Sequence, residues 1–163
     1  MQMCLTGVFT ALIFVFTAYM HIPSYNGYTH IGDGFIFLCA CLLPRPYAMF
    51  AGAVGALLAD CLSGYALWAP ASLAIKAVSV LFFCNKRSTI INARNLLALI
   101  PAGMLCIGGY YLYEVCLTGN WIAPAPAMIG YLVQSALSSV LFVIAGSMLD
   151  KLSIHKLNGG KRR

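Results

Sequence analysis

The 163-residue chain is 61% hydrophobic and 9% charged, and its formal net charge is +6. Soluble domains carry about 25% charged residues, and a chain this apolar cannot hide its surface in one small core. The composition therefore excludes a soluble protein and indicates one integral membrane domain. The basic residues sit in short connections and at the C-terminal end, which is the pattern that orients membrane proteins and not one that binds nucleic acid.

A bilayer-spanning helix needs about 20 apolar residues. Six candidates follow in chain order, roughly residues 3–20, 34–43, 46–63, 70–84, 95–117 and 126–149. The first has no positive residue before it and no clear small-residue cleavage site, so it reads as a retained helix and not a signal peptide. It carries Gly7 and Ala11, a small-xxx-small pair that suits either packing inside the bundle or docking on another membrane protein. The second segment would be about 15 Å long as a helix. It could be re-entrant, or it could cross where the bilayer is locally thinned.

In the third segment Ala48, Gly52, Ala56, Asp60 and Gly64 recur at steps of four and share one face. Asp60 continues a packed face and is expected to point into the bundle. The fourth segment carries Lys76, the fifth Glu114 just after Tyr110, Tyr111 and Tyr113, and the sixth Tyr131, Gln134 and Ser138 on one face. Ionisable groups inside apolar segments are expensive and face a protein interior or a cavity.

Charge placement gives the topology. Arg45, then Lys86, Arg87 and Arg94, then Lys151, Lys156, Lys161, Arg162 and Arg163 fall in alternate connections and the tail. The other connections, 21–33, 64–69 and 118–125, contain no Lys or Arg. The positive-inside rule then predicts an all-α bundle of six transmembrane helices with both termini cytoplasmic. Residues 1–152 form the membrane domain and 153–163 a basic cytoplasmic tail. The outer connections are rich in Tyr, Trp, Pro and Gly; an interfacial belt accounts for Trp121 more readily than for Trp68.

On this frame Asp60, Lys76, Glu114 and Gln134 all lie in the outer half, under the aromatic loops. That convergence predicts an outward-opening pocket for a small polar, ring-shaped molecule. Plainer readings stand beside it: Asp60 and Lys76 as a structural ion pair, Asp33 as the N-cap of helix two, and His30 as a loop histidine. The seven cysteines show no CxxC spacing and no His partners, so they read as small apolar residues and not as metal ligands. No GxSxG, HExxH or P-loop occurs, so neither catalysis nor a cofactor is expected; Gly159-Gly160-Lys161 lacks the context of a Walker motif.

The run HIGDGFIFLCACLLPRPYAMFAGAVGALLAD followed by SGYALWAPASLAIKA resembles the substrate-binding S components of energy-coupling-factor (ECF) vitamin transporters. Within them it is most similar to the branch linked to hydroxymethylpyrimidine and vitamin B6 precursors. The resemblance implies a multi-pass subunit of a prokaryotic cell membrane that binds a vitamin or precursor from outside. It also implies docking through helix one on a transmembrane coupling protein shared with two cytoplasmic ATPases, and toppling to release substrate inside. The helix-one motif of such proteins is Ala-xxx-Ala, for which this chain has Gly7-xxx-Ala11. On this reading Asp60, Lys76, Glu114 and Gln134 supply polar contacts and Tyr28, Trp68, Tyr110 and Tyr131 stacking surfaces, with His30 and Asp33 beside them. Two other readings remain: a stand-alone transporter or channel using Asp60, Glu114 and Lys76 as an ion relay, and a purely structural subunit.

Overall fold

A computed structural model describes residues 1–24 and 27–152, so the expected basic tail, 153–163, lies outside the described residues. Among the described residues the chain forms six α-helices: α1 (Gln2–Ala18), α2 (Asp33–Leu42), α3 (Arg45–Leu62), α4 (Ala69–Ser79), α5 (Ala93–Thr118) and α6 (Ala127–Lys151). All six fall on the expected segments. The fold is not wholly α, because β1 (His21–Ser24) and β2 (Gly27–His30) pair antiparallel, with His21 opposite His30 and Ile22 opposite Thr29. The expected outer loop is thus partly a hairpin, whose backbone groups satisfy one another.

Local chemistry sets the helix ends. Pro46 and Pro70 sit in the first turns of α3 and α4, where a missing N–H costs nothing. Asn92 caps α5 by accepting from the Asn95 amide at 3.1 Å, and Gly119 ends it in the left-handed region at φ +65°. The α5 and α6 helices, of 26 and 25 residues, are long and apolar enough to cross a membrane. The remaining helices are shorter or less apolar.

Helix α3 packs between α1 and α4, α2 packs on α6, and α5 joins α4 and α6. The small face of α3 is buried at Ala48, Gly52, Ala56 and Asp60, whereas Gly64 lies past the helix end in a turn at φ +85°. Close approach is steric at Gly55: a Cβ there would stand 2.9 Å from an Ile13 methyl and 3.0 Å from the Thr10 carbonyl of α1. The short α2 buries eight of its ten residues, Asp33 through Cys41 except Phe35. It is covered by protein nearly all round, as a helix apolar on every side requires.

One end of the bundle gathers Arg45, Lys86 and Arg94 around a common cleft. There Asp150 of α6 accepts hydrogen bonds from the Ile90 and Ile91 amides at 2.8 and 2.9 Å, tying the α4–α5 connection to α6. The hairpin closes the opposite end, where the Thr29 hydroxyl donates to the Gly130 carbonyl of α6 at 3.2 Å. The cysteines divide: Cys39, Cys41 and Cys106 are buried, Cys84 is half-buried, and Cys4, Cys61 and Cys116 are exposed, so a buried role fits only part of the set.

Candidate functional site

Beneath the hairpin the adjoining ends of α3, α4, α5 and α6 converge on a small cavity of about 20 Å³, room for about one water. Seven of the ten residues expected at a pocket line it. Asp60 and Trp68 come from α3 and the turn before α4, Tyr110 from α5, and Tyr131 and Gln134 from α6. Tyr28 and His30 reach it from β2, where both face inward because strand side chains alternate.

The other three, Asp33, Lys76 and Glu114, lie just behind this lining and are buried. Lys76 Nζ donates to Asp33 Oδ2 at 2.8 Å, and Gln134 Nε2 donates to the same oxygen at 2.9 Å. This triad binds α2, α4 and α6 together, and Lys76 also sits 5.1 Å from the centroid of the Tyr110 ring. Two expectations are corrected here. Lys76 pairs with Asp33 and not with Asp60, because α2 presents its first residue to the amine. Nor does Asp33 cap α2: Gly32 holds the N-cap position, no side chain caps it, and the Asp33 carboxylate is turned inward.

Asp60 and Glu114 share a different arrangement. Each accepts a hydrogen bond from a tyrosine, Tyr28 to Asp60 Oδ1 and Tyr131 to Glu114 Oε1. Their second oxygens, Asp60 Oδ2 and Glu114 Oε2, are buried without a hydrogen-bond partner, as are Asp33 Oδ1 and Trp68 Nε1. Buried polar atoms are nearly always satisfied, and exceptions concentrate at functional positions.

In the hairpin, the Asp60 charge and burial hold the Tyr28 phenol protonated far above its usual range, burial being the larger cause. His30 is fully buried, and its Nδ1 accepts from the Gly32 amide at 3.2 Å. Burial pushes its pKa down from 6.5 to about 4, against the opposing pull of Asp33. The imidazole is therefore neutral at physiological pH, in a buried position on β2.

The aromatic side chains pack on one another. Tyr110 and Tyr131 stack at 4.9 Å between centroids, and Tyr28 meets Tyr65 at 4.5 Å. Tyr65 and Ser72 were not among the expected residues. Tyr65 stands in the GYALWA connection, whose aromatic content was its only signal. Ser72 precedes Lys76 by four residues and so shares its face of α4; its hydroxyl and that of Tyr110 lie 2.6 Å apart in a hydrogen bond. Trp121 is 65% exposed, as an interfacial residue would be, in contrast to half-buried Trp68.

Gly7 and Ala11 face outward from α1, whose buried side is Thr6, Phe9, Ile13 and Thr17. They border an open apolar groove between α1 and α3, with Phe14, Phe50 and Leu58. A Cβ at Gly7 would meet nothing within 4 Å. Among the described residues no group of His, Cys, Asp and Glu could hold a metal ion.

The family model described as ECF-type riboflavin transporter, S component, matches residues 1–151. A Pyrococcus woesei protein described as an uncharacterized protein in gap 3'region is 31% identical over 137 residues, covering 79% of this chain and 92% of that protein. The hydroxymethylpyrimidine and B6 branch is a narrower assignment than this match reaches. With its apolar helices and a match over nearly its full length, the chain belongs to the family of ECF-type riboflavin transporter S components, which are membrane transport subunits and not enzymes.

Proposed function

We propose that the chain is the high-affinity substrate-binding subunit of an ECF-type importer and that its substrate is a single-ring vitamin or precursor of pyrimidine or pyridine type. The observation that carries this reading is one cavity ringed by tyrosines and a tryptophan, with buried carboxylate oxygens and an indole N–H left without partners. Such groups suit a flat heterocycle bearing amino, hydroxyl or ring N–H donors. Tyr110 and Tyr131 stack and Tyr28 meets Tyr65 at a tilt, so admitting a ligand ring requires these rings to part.

Six crossings with both ends cytoplasmic complete the proposal. Its support is the basic cleft of Arg45, Lys86 and Arg94 at one end and the aromatic hairpin at the other. The short α2 needs no lipid-matched length, because protein covers it. The outward Gly7–Ala11 face and its groove are the proposed docking surface for a transmembrane coupling protein, itself joined to two cytoplasmic ATPases.

Native mass spectrometry of the purified, emptied protein with a panel of B-vitamin precursors tests the reading. A one-to-one adduct with a pyrimidine or pyridine compound is expected. An adduct with riboflavin alone would overturn the substrate assignment. No adduct across the panel would favour an ion relay, which ATP-free vesicle flux would then reveal.

A further inference from the structure

The ten pocket residues hold more carboxyl groups than cationic ones. Three carboxylates, Asp33, Asp60 and Glu114, are each at most 3% exposed. Among the described residues the one buried cation is Lys76, and Asp33 already engages it. The remaining titratable groups facing the site are two histidines, one thiol and four tyrosines. His30 on β2 is neutral, its Nδ1 occupied by the Gly32 amide. His21 on β1 packs against the Tyr28 ring at 4.8 Å. Cys106 of α5 and the tyrosines Tyr28, Tyr65, Tyr110 and Tyr131 carry no positive charge. Tyrosine hydroxyls solvate one oxygen of Asp60 and one of Glu114, and the other oxygen of each is buried without a partner. A buried carboxylate is costly as an anion without a counter-ion, so a guest that brings the counter-charge stabilises its ionised form.

The wall points the same way independently. Tyr28, Tyr65, Trp68, Tyr110 and Tyr131 surround the cavity with five aromatic rings, the arrangement that holds organic cations by their attraction to ring faces. The protein already makes one such contact there, between Lys76 and Tyr110.

We propose that the ligand is bound as a cation, a protonated or quaternary heteroaromatic amine, with Asp60 as its principal counter-ion and Glu114 as the second. Asp60 takes the leading role because it lines the cavity itself, whereas Glu114 acts from behind Tyr131. This deepens the substrate-binding reading and rests on it.

The test measures dissociation constants of the full-length protein in detergent, at neutral pH, for 4-aminopyridine, a cation under those conditions, and aniline, its uncharged isostere. The cation should bind at least about tenfold more tightly, the scale of one desolvated cation–π contact. Asp60→Asn keeps the acceptor for Tyr28 and should shrink that ratio toward one. Glu114→Gln should shrink it less. Equal affinities in the wild type, or tighter aniline, would overturn the proposal without recourse to any variant. So would failure of both probes when the precursor panel yields a neutral-ring adduct. If no ring compound binds at all, the substrate-binding reading itself falls.

Discussion

Asp33→Asn isolates the interaction that ties α2 into the bundle. The substitution keeps the side-chain shape and leaves Lys76, 2% exposed, facing Cys106 Sγ at 3.8 Å with its carboxylate partner gone. Removing one member of a buried ion pair costs about 3–5 kcal/mol, because the other is left uncompensated. The low end, about 3 kcal/mol, is expected here, since an amide oxygen still accepts from the amine and from Gln134. For a chain of this size about 2–4 °C accompanies each kcal/mol, so the apparent Tm should fall by roughly 6–12 °C. A thiol-reactive fluorogenic dye reads this directly: Cys39, Cys41 and Cys106 are buried and report unfolding over the baseline from Cys4, Cys61 and Cys116. Adding Lys76→Met removes the stranded charge and should restore most of the loss, because an apolar replacement of a buried pair is often close to neutral. The Asp60→Asn/Lys76→Met cycle should show far weaker coupling. A wild-type Tm in Asp33→Asn, or stronger coupling of Lys76 to Asp60 than to Asp33, would refute the assigned pairing.

Four further outcomes are expected. Tyr28→Phe removes the donor to Asp60 and should cost about 1–3 kcal/mol together with ligand affinity; unchanged stability and binding would detach the hairpin from the site. Gly55→Val overfills the α1–α3 contact and should destabilise by about 1–3 kcal/mol, and a wild-type melting curve would contradict the close approach of Ile13. Asp150→Ala should speed hydrogen exchange at the Ile90 and Ile91 amides, its two hydrogen-bond donors, while leaving the outer pocket's ligand affinity intact; unaltered exchange would speak against the clamp. For His30, depressed from 6.5 to about 4, the unfolded chain binds the proton more readily than the folded one. Stability from this residue is thus fully present above pH 6.5 and is lost as pH falls through about 4. Acid melting curves should flatten over that window in His30→Gln, and identical curves would show that the imidazole is not buried neutral.

Hydropathy and charge were sufficient to locate all six helices, because each apolar run is bounded by Gly, Pro or basic residues that punctuate the chain locally. The Tyr131, Gln134 and Ser138 face of α6 and the small face of α3 were likewise legible, since helical periodicity is a property of neighbours in sequence. So was the gathering of polar residues toward one end of the bundle, which needs only depth along each helix. Partner choice was not legible. Whether Lys76 meets Asp33 or Asp60 depends on where the first turn of α2 sits against α4 and α6, an arrangement decided by packing among segments far apart in the chain. The β1–β2 pairing was hidden because two short strands gain their stability from pairing and from the helix ends below, not from intrinsic propensity. Tyr65 and Ser72 reached the site for the same reason: spacing gives a residue's face, and only the tertiary structure decides what that face meets.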